Sequence, residues 1–271
     1  MKPFTPRPYQ HQIVDHVLAK PRCAVWAFMG AGKSACTLLA LDVLMLAGEV
    51  KRTLVIAPLR VARTTWPEEP RKWSNLQHLR VVPVVGTREE RAAAMTRPGD
   101  IYTINFENVQ WLVSYCAGNW PFDCVVIDEA TRLKSTRNIQ GSKRGAALRD
   151  LLLQKTPRVI ELTGTPAPNG LQDLYGQILL LDGGARLGRS YSAFENRWFG
   201  FQRVADALKI KTYVQRVVFP HAQAEIQGLL KDLCLTVLAK DCFPINEPQV
   251  FMVKVQLPPD CLLYTSDAAD E

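Results

Sequence analysis

One short segment of the chain combines glycine, lysine and serine at a spacing that suits phosphate binding. Residues 27–34 read AFMGAGKS, which is the pattern GxxxxGK[ST] with Ala27 in place of the first glycine. Glycines let backbone N–H groups turn toward an anion, and a helix that starts there adds the positive end of its dipole. Lys33 would then reach the β- and γ-phosphates of a nucleotide, and Ser34 would ligate Mg²⁺. The segment predicts a Walker A phosphate loop.

Two adjacent acids, Asp128 and Glu129, follow the apolar run 124–127. Asp128 can hold Mg²⁺ directly or through water, and Glu129 can polarise the water that attacks a γ-phosphate. An isolated Asp-Glu pair usually belongs to a solvated surface. Together with the phosphate loop, this pair predicts a hydrolytic site.

A third polar cluster, Thr-Gly-Thr-Pro, follows the apolar run 158–162. The hydroxyls of Thr163 and Thr165 could sense the γ-phosphate or link the acid pair to a neighbouring site. Read alone, this cluster is an ordinary turn. Its place after the other two motifs favours a coupling role.

Short apolar runs alternate with helix-compatible segments before residue 181. Continuous apolar runs are typical of strands buried on both faces, and they are 23–28, 53–57, 80–85, 100–104, 124–127 and 158–162. The helix-compatible segments are 33–47, 62–73, 88–95, 106–115 and 141–153. This alternation predicts an α/β fold with a central, mainly parallel sheet flanked by helices.

Residues 182–248 break this rhythm and are richer in arginine, lysine and aromatic residues. We expect a mixed, basic insertion or protrusion packed on the first domain. Residues 250–257 then alternate between apolar and other side chains, which predicts a further strand.

Composition bounds the class of protein. The 271 residues are 47% apolar, enough for one large domain or two small ones. No apolar run approaches the ~20 residues that span a bilayer, and the N-terminus lacks a signal-peptide pattern, so we expect a cytoplasmic protein of a bacterial or phage-infected host cell without membrane association. The seven cysteines form no CxxC pair, so neither a zinc site nor a disulfide framework is indicated. The net charge of +7 would attract a polyanion but is a weak indication by itself.

These motifs, in this order, resemble those of the superfamily-two helicase-like ATPases, specifically the Snf-type double-stranded DNA translocases in a small phage-like form. The resemblance covers about residues 5–257 and corresponds to the first of two RecA-like lobes. It implies a P-loop ATP-binding lobe at 1–181, the insertion at 182–248, and a strand at 249–260 that leads toward a second lobe.

The resemblance also implies roles for individual residues. Arg7-Pro-Tyr-Gln10 is similar to the adenine-recognition element, with Gln10 at the adenine edge. The implied nucleotide-binding set is Gln10, Met29, Gly30, Ala31, Gly32, Lys33 and Ser34. Arg60, within Ala57–Val61, and Asn105, within Thr103–Glu107, are implied to touch a nucleic-acid backbone. Thr131 stands where many relatives have histidine, so the usual coupling between the acid motif and the Thr163 motif is in question here.

Two basic stretches could meet DNA or could form solvated surfaces, and the sequence favours neither reading. The first contains Arg132, Lys134, Arg137, Lys143, Arg144 and Arg149. The second contains Arg186, Arg189, Arg197, Arg203, Lys209, Lys211 and Arg216.

The resemblance implies an ATPase that uses ATP and Mg²⁺ to move on double-stranded DNA. In this family a second lobe contributes arginines, so we expect residues 1–260 alone to bind Mg-ATP weakly and hydrolyse it very slowly. One alternative is a single-lobe ATP-binding module with a regulatory or recruitment role. A P-loop phosphotransferase is disfavoured, because no acceptor site is visible and the acid pair suits water activation.

The last eleven residues, 261–271, resemble the in-frame translation of a sequencing-library adaptor. The chain stops soon after the expected strand, on a polar stretch with no capping or terminating pattern. We expect these eleven residues to be foreign to the protein, with an ordinary acidic tail as the alternative.

Overall fold

The computed structural model describes residues 1–116, 118–136, 143–205 and 212–243. Parallel strands in the described part form one large sheet, and a two-stranded antiparallel hairpin lies outside it. The strands are β1 Arg22–Ala27, β2 Thr53–Ala57, β3 Val81–Pro83, β4 Ile101–Asn105, β5 Cys124–Asp128, β6 Arg158–Thr163, β7 Phe199–Ala205, β8 Thr212–Val218 and β9 Cys234–Val237.

The helices lie between the strands. They are α1 Pro8–Ala19, α2 Lys33–Leu46, α3 Trp66–Glu68, α4 Arg88–Met95, α5 Val109–Cys116, α6 Lys143–Lys155, α7 Leu174–Asp182, α8 Tyr191–Trp198, α9 Ala222–Leu230 and α10 Ala239–Cys242. Short 3₁₀ turns precede α5 and α7 and follow β5.

The large sheet has the order β3-β4-β2-β5-β6-β1-β9, and each of its pairings is parallel. β1 and β5 are therefore separated only by β6. Because all strands run the same way, the loops that follow β1, β6 and β5 emerge side by side at one edge. This confirms the predicted α/β fold with a parallel sheet.

Both faces of the sheet are buried, which explains why its strands are apolar without alternation. On β2, Leu54 and Ile56 join one core cluster while Val55 and Ala57 join the other. The first cluster packs under α4 to α9, and the second packs under α1, α2 and the segment after β2. Two hydrophobic layers thus hold the strand ends in fixed positions.

The segment 62–73 differs from the single helix that we expected. It is divided into a π-helical turn at Val61–Thr65, the short α3, and a 3₁₀ turn at Pro70–Lys72. Pro67 and Pro70 lack the N–H groups that a continuous α-helix needs, so the hydrogen-bond pattern changes along a path that stays right-handed helical. Trp66, at the junction between the π-helical turn and α3, is fully buried.

Residues 182–243 hold α8, the hairpin of β7 and β8, α9, and β9. β9 pairs with β1 and is the seventh strand of the main sheet, so that sheet extends into the segment that we expected to be an insertion. The domain limits remain a prediction. The predicted strand at 250–257 and the tail at 261–271 lie outside the described residues.

Within the described residues, no helix is long and apolar enough to cross a membrane.

Candidate nucleotide-binding site

The three motifs meet at the carboxyl edge of the sheet, each at the end of one of three neighbouring strands. The phosphate loop follows β1, Thr163 ends β6, and Asp128 ends β5. The loops also touch, since a Cβ atom added at Gly164 would lie 3.4 Å from Met29 Cγ and 3.5 Å from the Ala27 carbonyl oxygen. The strand order therefore assembles what the sequence separates.

The phosphate loop has the backbone that its glycines predict. Gly30 and Gly32 both have left-handed conformations, with φ of +81° and +80°. A side chain at position 32 would also collide with Gln10, whose Nε2 lies 2.5 Å from the Cβ position. α2 begins directly after the loop, at Lys33. The loop thus offers backbone N–H groups and a helix N-terminus to an anion.

Lys33 is tucked into the loop. Its Nζ donates to the carbonyl oxygens of Ala27, at 2.8 Å, and Phe28, at 3.1 Å. Burial lowers the pKa of Lys33, and the nearby charges of Asp128 and Glu129 oppose that change. Lys33 is therefore close enough to both acids to feel their charge.

The other predicted loop residues differ in what they expose. Ala31 is fully buried, Ser34 is half-buried in the first turn of α2, and the Met29 side chain is 84% exposed. Met29 can therefore contribute to anion binding through its backbone N–H, whereas Ser34 can contribute its side-chain hydroxyl.

Asp128 is a buried carboxylate with an unexpected partner. The indole Nε1 of Trp66 donates to its Oδ2 at 2.9 Å. Burial and the charge of Glu129 raise the pKa of Asp128, while the Trp66 hydrogen bond and Lys33 oppose the increase. A cation at this carboxylate would favour its ionised form. The sequence gave no indication of this bond, because Trp66 and Asp128 are 62 positions apart.

Glu129 has a strained backbone. Its φ of +63° makes it the only non-glycine residue with positive φ in the described ranges. For a residue with a Cβ atom, this left-handed conformation costs roughly 1–2 kcal/mol. Such a conformation persists only when the surrounding packing holds the residue in place, and strained residues of this kind cluster at functional sites.

Gln10 joins α1 to the phosphate loop. Its Oε1 accepts from the Arg7 backbone N–H at 2.9 Å, and its Nε2 donates to the Ala31 carbonyl oxygen at 2.9 Å. A pocket of about 380 Å³ lies beside it, between the N-terminal segment and the loop, and Arg7, Tyr9 and Trp73 contribute to its lining. This pocket is adjacent to the loop glycines, where the base of a bound nucleotide would be expected.

The Thr163 motif forms a tight turn that packs against α7. Thr163 is buried, and its Oγ1 accepts from the Thr165 N–H at 3.1 Å, while Thr165 is exposed. Gln177 fastens the turn by donating to the Pro166 carbonyl oxygen at 2.7 Å. Thr163 is thus placed between the phosphate loop and the acid pair.

The four predicted nucleic-acid contacts have different surroundings. Arg60 is exposed at the carboxyl end of β2, and its side chain has no ion-pair partner among the described residues. Asn105 is buried, donates to Glu107 Oε2 at 2.7 Å and accepts from Asn108 at 2.6 Å, so its amide serves the local turn.

Arg132 and Lys134 have acidic neighbours. Arg132 lies 3.6 Å from Glu107, and Lys134 lies 3.6 Å from Asp173. Exposed Arg63, which we did not predict as a contact, lies beside Arg60 on the same turn and likewise has no ion pair within the described part of the chain.

Three arginines of the second basic stretch form ion pairs within the described residues. Arg186 pairs with Asp182 and Asp232, Arg197 with Glu225, and Arg216 with Glu195. In the first stretch, Arg149 pairs with the adjacent Asp150. Arg137, Lys209 and Lys211 lie outside the described residues, and so do the side chains of Lys143, Arg144 and Arg203.

Comparisons with known proteins agree with this arrangement. A family model described as the SNF2-related domain matches residues 27–241. Protein p41 of Acyrthosiphon pisum secondary endosymbiont phage 1 is 46% identical over 260 residues, which are 95% of this chain and 56% of that protein. Chromodomain-helicase-DNA-binding protein 7 of Gallus gallus is 29% identical over 239 residues, or 81% of this chain and 7% of that protein.

Among solved structures, the chain is similar to the Sulfolobus solfataricus SWI2/SNF2 ATPase core in complex with dsDNA. The TM-score is 0.67 at 24% identity, and the match covers 98% of this chain and 52% of that one. At this identity the likeness establishes the fold. The chain spans about half the length of the phage relative and of this structural neighbour.

The family match extends over most of the chain, and residues 27–241 include the phosphate loop, the acid pair and the seven strands of the parallel sheet except part of β1. The chain therefore belongs to the SNF2-related family of helicase-like ATPases and corresponds to the N-terminal lobe of the ATPase core.

Proposed function

We propose that this chain is the ATP-binding lobe of an ATP-dependent translocase that moves on double-stranded DNA. The observation that carries the proposal is the convergence of Lys33, Asp128 and Thr163 at the ends of three neighbouring strands. This arrangement brings a lysine, a buried carboxylate and a buried hydroxyl to one edge of the sheet. Lys33 would bind the phosphates, Asp128 would hold Mg²⁺ and Thr163 would sense the γ-phosphate.

The residues fit Mg-ATP in their chemistry. The left-handed glycines turn the loop backbone toward an anion, and the hydroxyl of Ser34 and the carboxylate of Asp128 are the oxygen ligands that Mg²⁺ prefers. Gln10 and its pocket would receive the adenine base, and Met29 to Gly32 would offer backbone N–H groups to the phosphates. Bound Mg²⁺ would neutralise charge on the β- and γ-phosphate oxygens.

Glu129 is the residue that we propose orients the attacking water. Thr163 and Thr165 would couple the occupied site to neighbouring segments. Arginines of a second lobe would complete the site in the longer protein, and arginine fingers contribute about 10³–10⁵ in rate in phosphoryl-transfer systems. We therefore expect this chain alone to bind Mg-ATP weakly and to hydrolyse it very slowly.

DNA would be held through its phosphates. Arg60 is exposed and not ion-paired within the described residues, which suits a sequence-independent backbone contact. Arg132 and Lys134 would need to exchange their acidic neighbours for phosphates, and Asn105 would need to leave its local hydrogen bonds. The structural neighbour was solved with double-stranded DNA, which supports this choice of partner.

The direct test measures binding of a fluorescent, non-hydrolysable ATP analogue in the presence of Mg²⁺. We expect Lys33→Ala to weaken binding at least ~10-fold, since the lysine supplies the charge that meets the phosphates. Lys155→Ala is the matched control, because Lys155 is exposed and its one hydrogen bond among the described residues is donated to the Gly118 carbonyl oxygen at 3.2 Å.

Equal binding by wild type and Lys33→Ala would contradict the proposed site. Separately, robust DNA-stimulated turnover by a monodisperse preparation of this chain would contradict the need for second-lobe arginines.

A further inference from the structure

The turn after β2 has an unusual geometry. Val61–Thr65 is π-helical, with the Trp66 N–H bonded to the Val61 carbonyl oxygen. π-helical turns are rare and often occur at functional sites. Two hydroxyls donate to carbonyl oxygens of this turn: Thr64 Oγ1 donates to the Arg60 carbonyl oxygen at 2.8 Å, and Thr103 Oγ1 of β4 donates to the Ala62 carbonyl oxygen at 2.6 Å.

The two sides of this turn face different surroundings. Arg60 and Arg63 are exposed, and in the described part of the molecule neither has an ion-pair partner. Trp66, one residue beyond the turn, is fully buried and donates to Asp128 Oδ2 at 2.9 Å. A π-helical turn, followed directly by Trp66, therefore connects two exposed arginines to the carboxylate at the end of β5.

We propose that Trp66 is a positioning residue that makes the orientation of Asp128, and so Mg-nucleotide binding, depend on DNA phosphates at Arg60 and Arg63. The inference rests on the proposed function and adds a path for coupling within this lobe. Phosphates held by the two arginines would shift or stiffen the π-helical turn. Trp66 would transmit that change to Asp128 because its indole and the carboxylate are directly hydrogen-bonded.

The opposing interpretation is that Trp66 merely fills the core. Trp198 provides a matched control for that reading: it too is fully buried, and its Nε1 donates to a carboxylate, Glu225 Oε2, at 2.9 Å. Trp66→Phe and Trp198→Phe therefore remove the same atoms from equally buried indoles. Only the first lies between the π-helical turn and Asp128.

The experiment measures two dissociation constants for the non-hydrolysable ATP analogue in Mg²⁺, one without DNA and one with a saturating short duplex. Their ratio is the coupling, which by linkage must also appear in duplex affinity with and without the nucleotide. We expect a ratio of about fivefold or more for wild type and Trp198→Phe, within the usual range for allosteric coupling. We expect a ratio near one for Trp66→Phe, with nucleotide binding in EDTA unchanged in all three proteins.

The outcomes separate the two proposals. If wild type binds neither the Mg-nucleotide nor DNA, the proposed function fails. If wild type binds both and Trp66→Phe keeps the wild-type ratio, or if wild type itself shows no coupling, the inference is overturned while the proposed function stands.

Thr103→Val provides a second variant should Trp66→Phe fail to fold. It keeps the indole in place and removes the hydroxyl that holds the Ala62 carbonyl oxygen. We expect it to reduce the coupling ratio without changing nucleotide binding in EDTA, and an unchanged ratio would overturn the inference.

Discussion

The turn after β2 and the region of α8, β8 and α9 both carry exposed arginines, but only the second region neutralises them. Arg197 pairs with Glu225 and Arg216 pairs with Glu195, whereas Arg60 and Arg63 have no ion pair among the described residues. The carboxyl edge of the sheet also holds a buried carboxylate and a strained glutamate. Basic composition is therefore a poor guide to a phosphate-binding surface, because tertiary structure decides which charges remain available.

Removing two arginines from each region should have the largest effect on DNA binding in the turn after β2. We expect Arg60→Ala with Arg63→Ala to weaken duplex binding about tenfold at moderate salt, because two phosphate contacts are lost. Each lost contact should also make the slope of log affinity against log salt concentration shallower by roughly 0.9. Titrations of a labelled duplex at several salt concentrations measure both quantities.

The matched control, Arg197→Ala with Arg216→Ala, removes the same net charge. It should change duplex affinity little, since those arginines already face carboxylates. Equal losses in both double variants would show that net charge alone governs duplex binding and that ion pairing does not decide which arginines bind phosphate.

A second prediction concerns the strain at Glu129. Glycine adopts left-handed conformations freely, so Glu129→Gly should be more stable than Glu129→Ala by about 1 kcal/mol. Both variants lack the carboxylate, so the difference isolates the backbone, and chemical denaturation measures it.

The same pair of substitutions at Glu225, inside α9, is the control. There alanine should be the more stable residue, because glycine weakens helices. If alanine is also the more stable residue at position 129, the backbone there is not strained.

The smallest effect is a pH dependence in the neutralised region. Hydrogen bonds from Trp198 and Arg197 lower the pKa of Glu225 below its ordinary value of 4.5. A lowered pKa in the folded state means that the stabilisation is complete well above pH 4.5 and is lost as the pH falls through the folded-state pKa. Glu225→Gln should therefore be slightly less stable than wild type at pH 7, and the gap should close on acidification.

Thermal unfolding of wild type and Glu225→Gln between neutral and acid pH checks this expectation. Glu68→Gln controls for the loss of one surface carboxylate, because Glu68 is exposed and has no ion pair in the described part of the chain. A gap for Glu225→Gln that widens on acidification would contradict the sign of the pKa change.

Much of the sheet could be predicted from local patterns. The run 53–57 matches β2. The runs 124–127 and 158–162 begin with β5 and β6 and end one residue before those strands end. Apolar content and phosphate-loop spacing are local properties, so they are visible without a structure. The segment 62–73 is helical as expected, but it is not a single α-helix, because its hydrogen bonding changes from π to α to 3₁₀ around the two prolines.

Other features depend on contacts between distant residues. The sequence does not show that β9 joins the sheet beside β1, or that Gln10 is hydrogen-bonded to the phosphate loop. It also does not show which arginines are paired, because Arg197 and Glu225 are 28 positions apart and meet only when α8 packs near α9. These outcomes follow from packing.

The phosphate loop, the acid pair and the alternation of strands and helices can be recognised from residue type and short-range spacing alone. The structure is needed to see that β6 separates β1 from β5, that Glu129 is left-handed, and that Trp66 reaches Asp128. These features depend on the whole chain, because strand order and buried hydrogen bonds minimise the free energy of the whole core. No local segment contains that information.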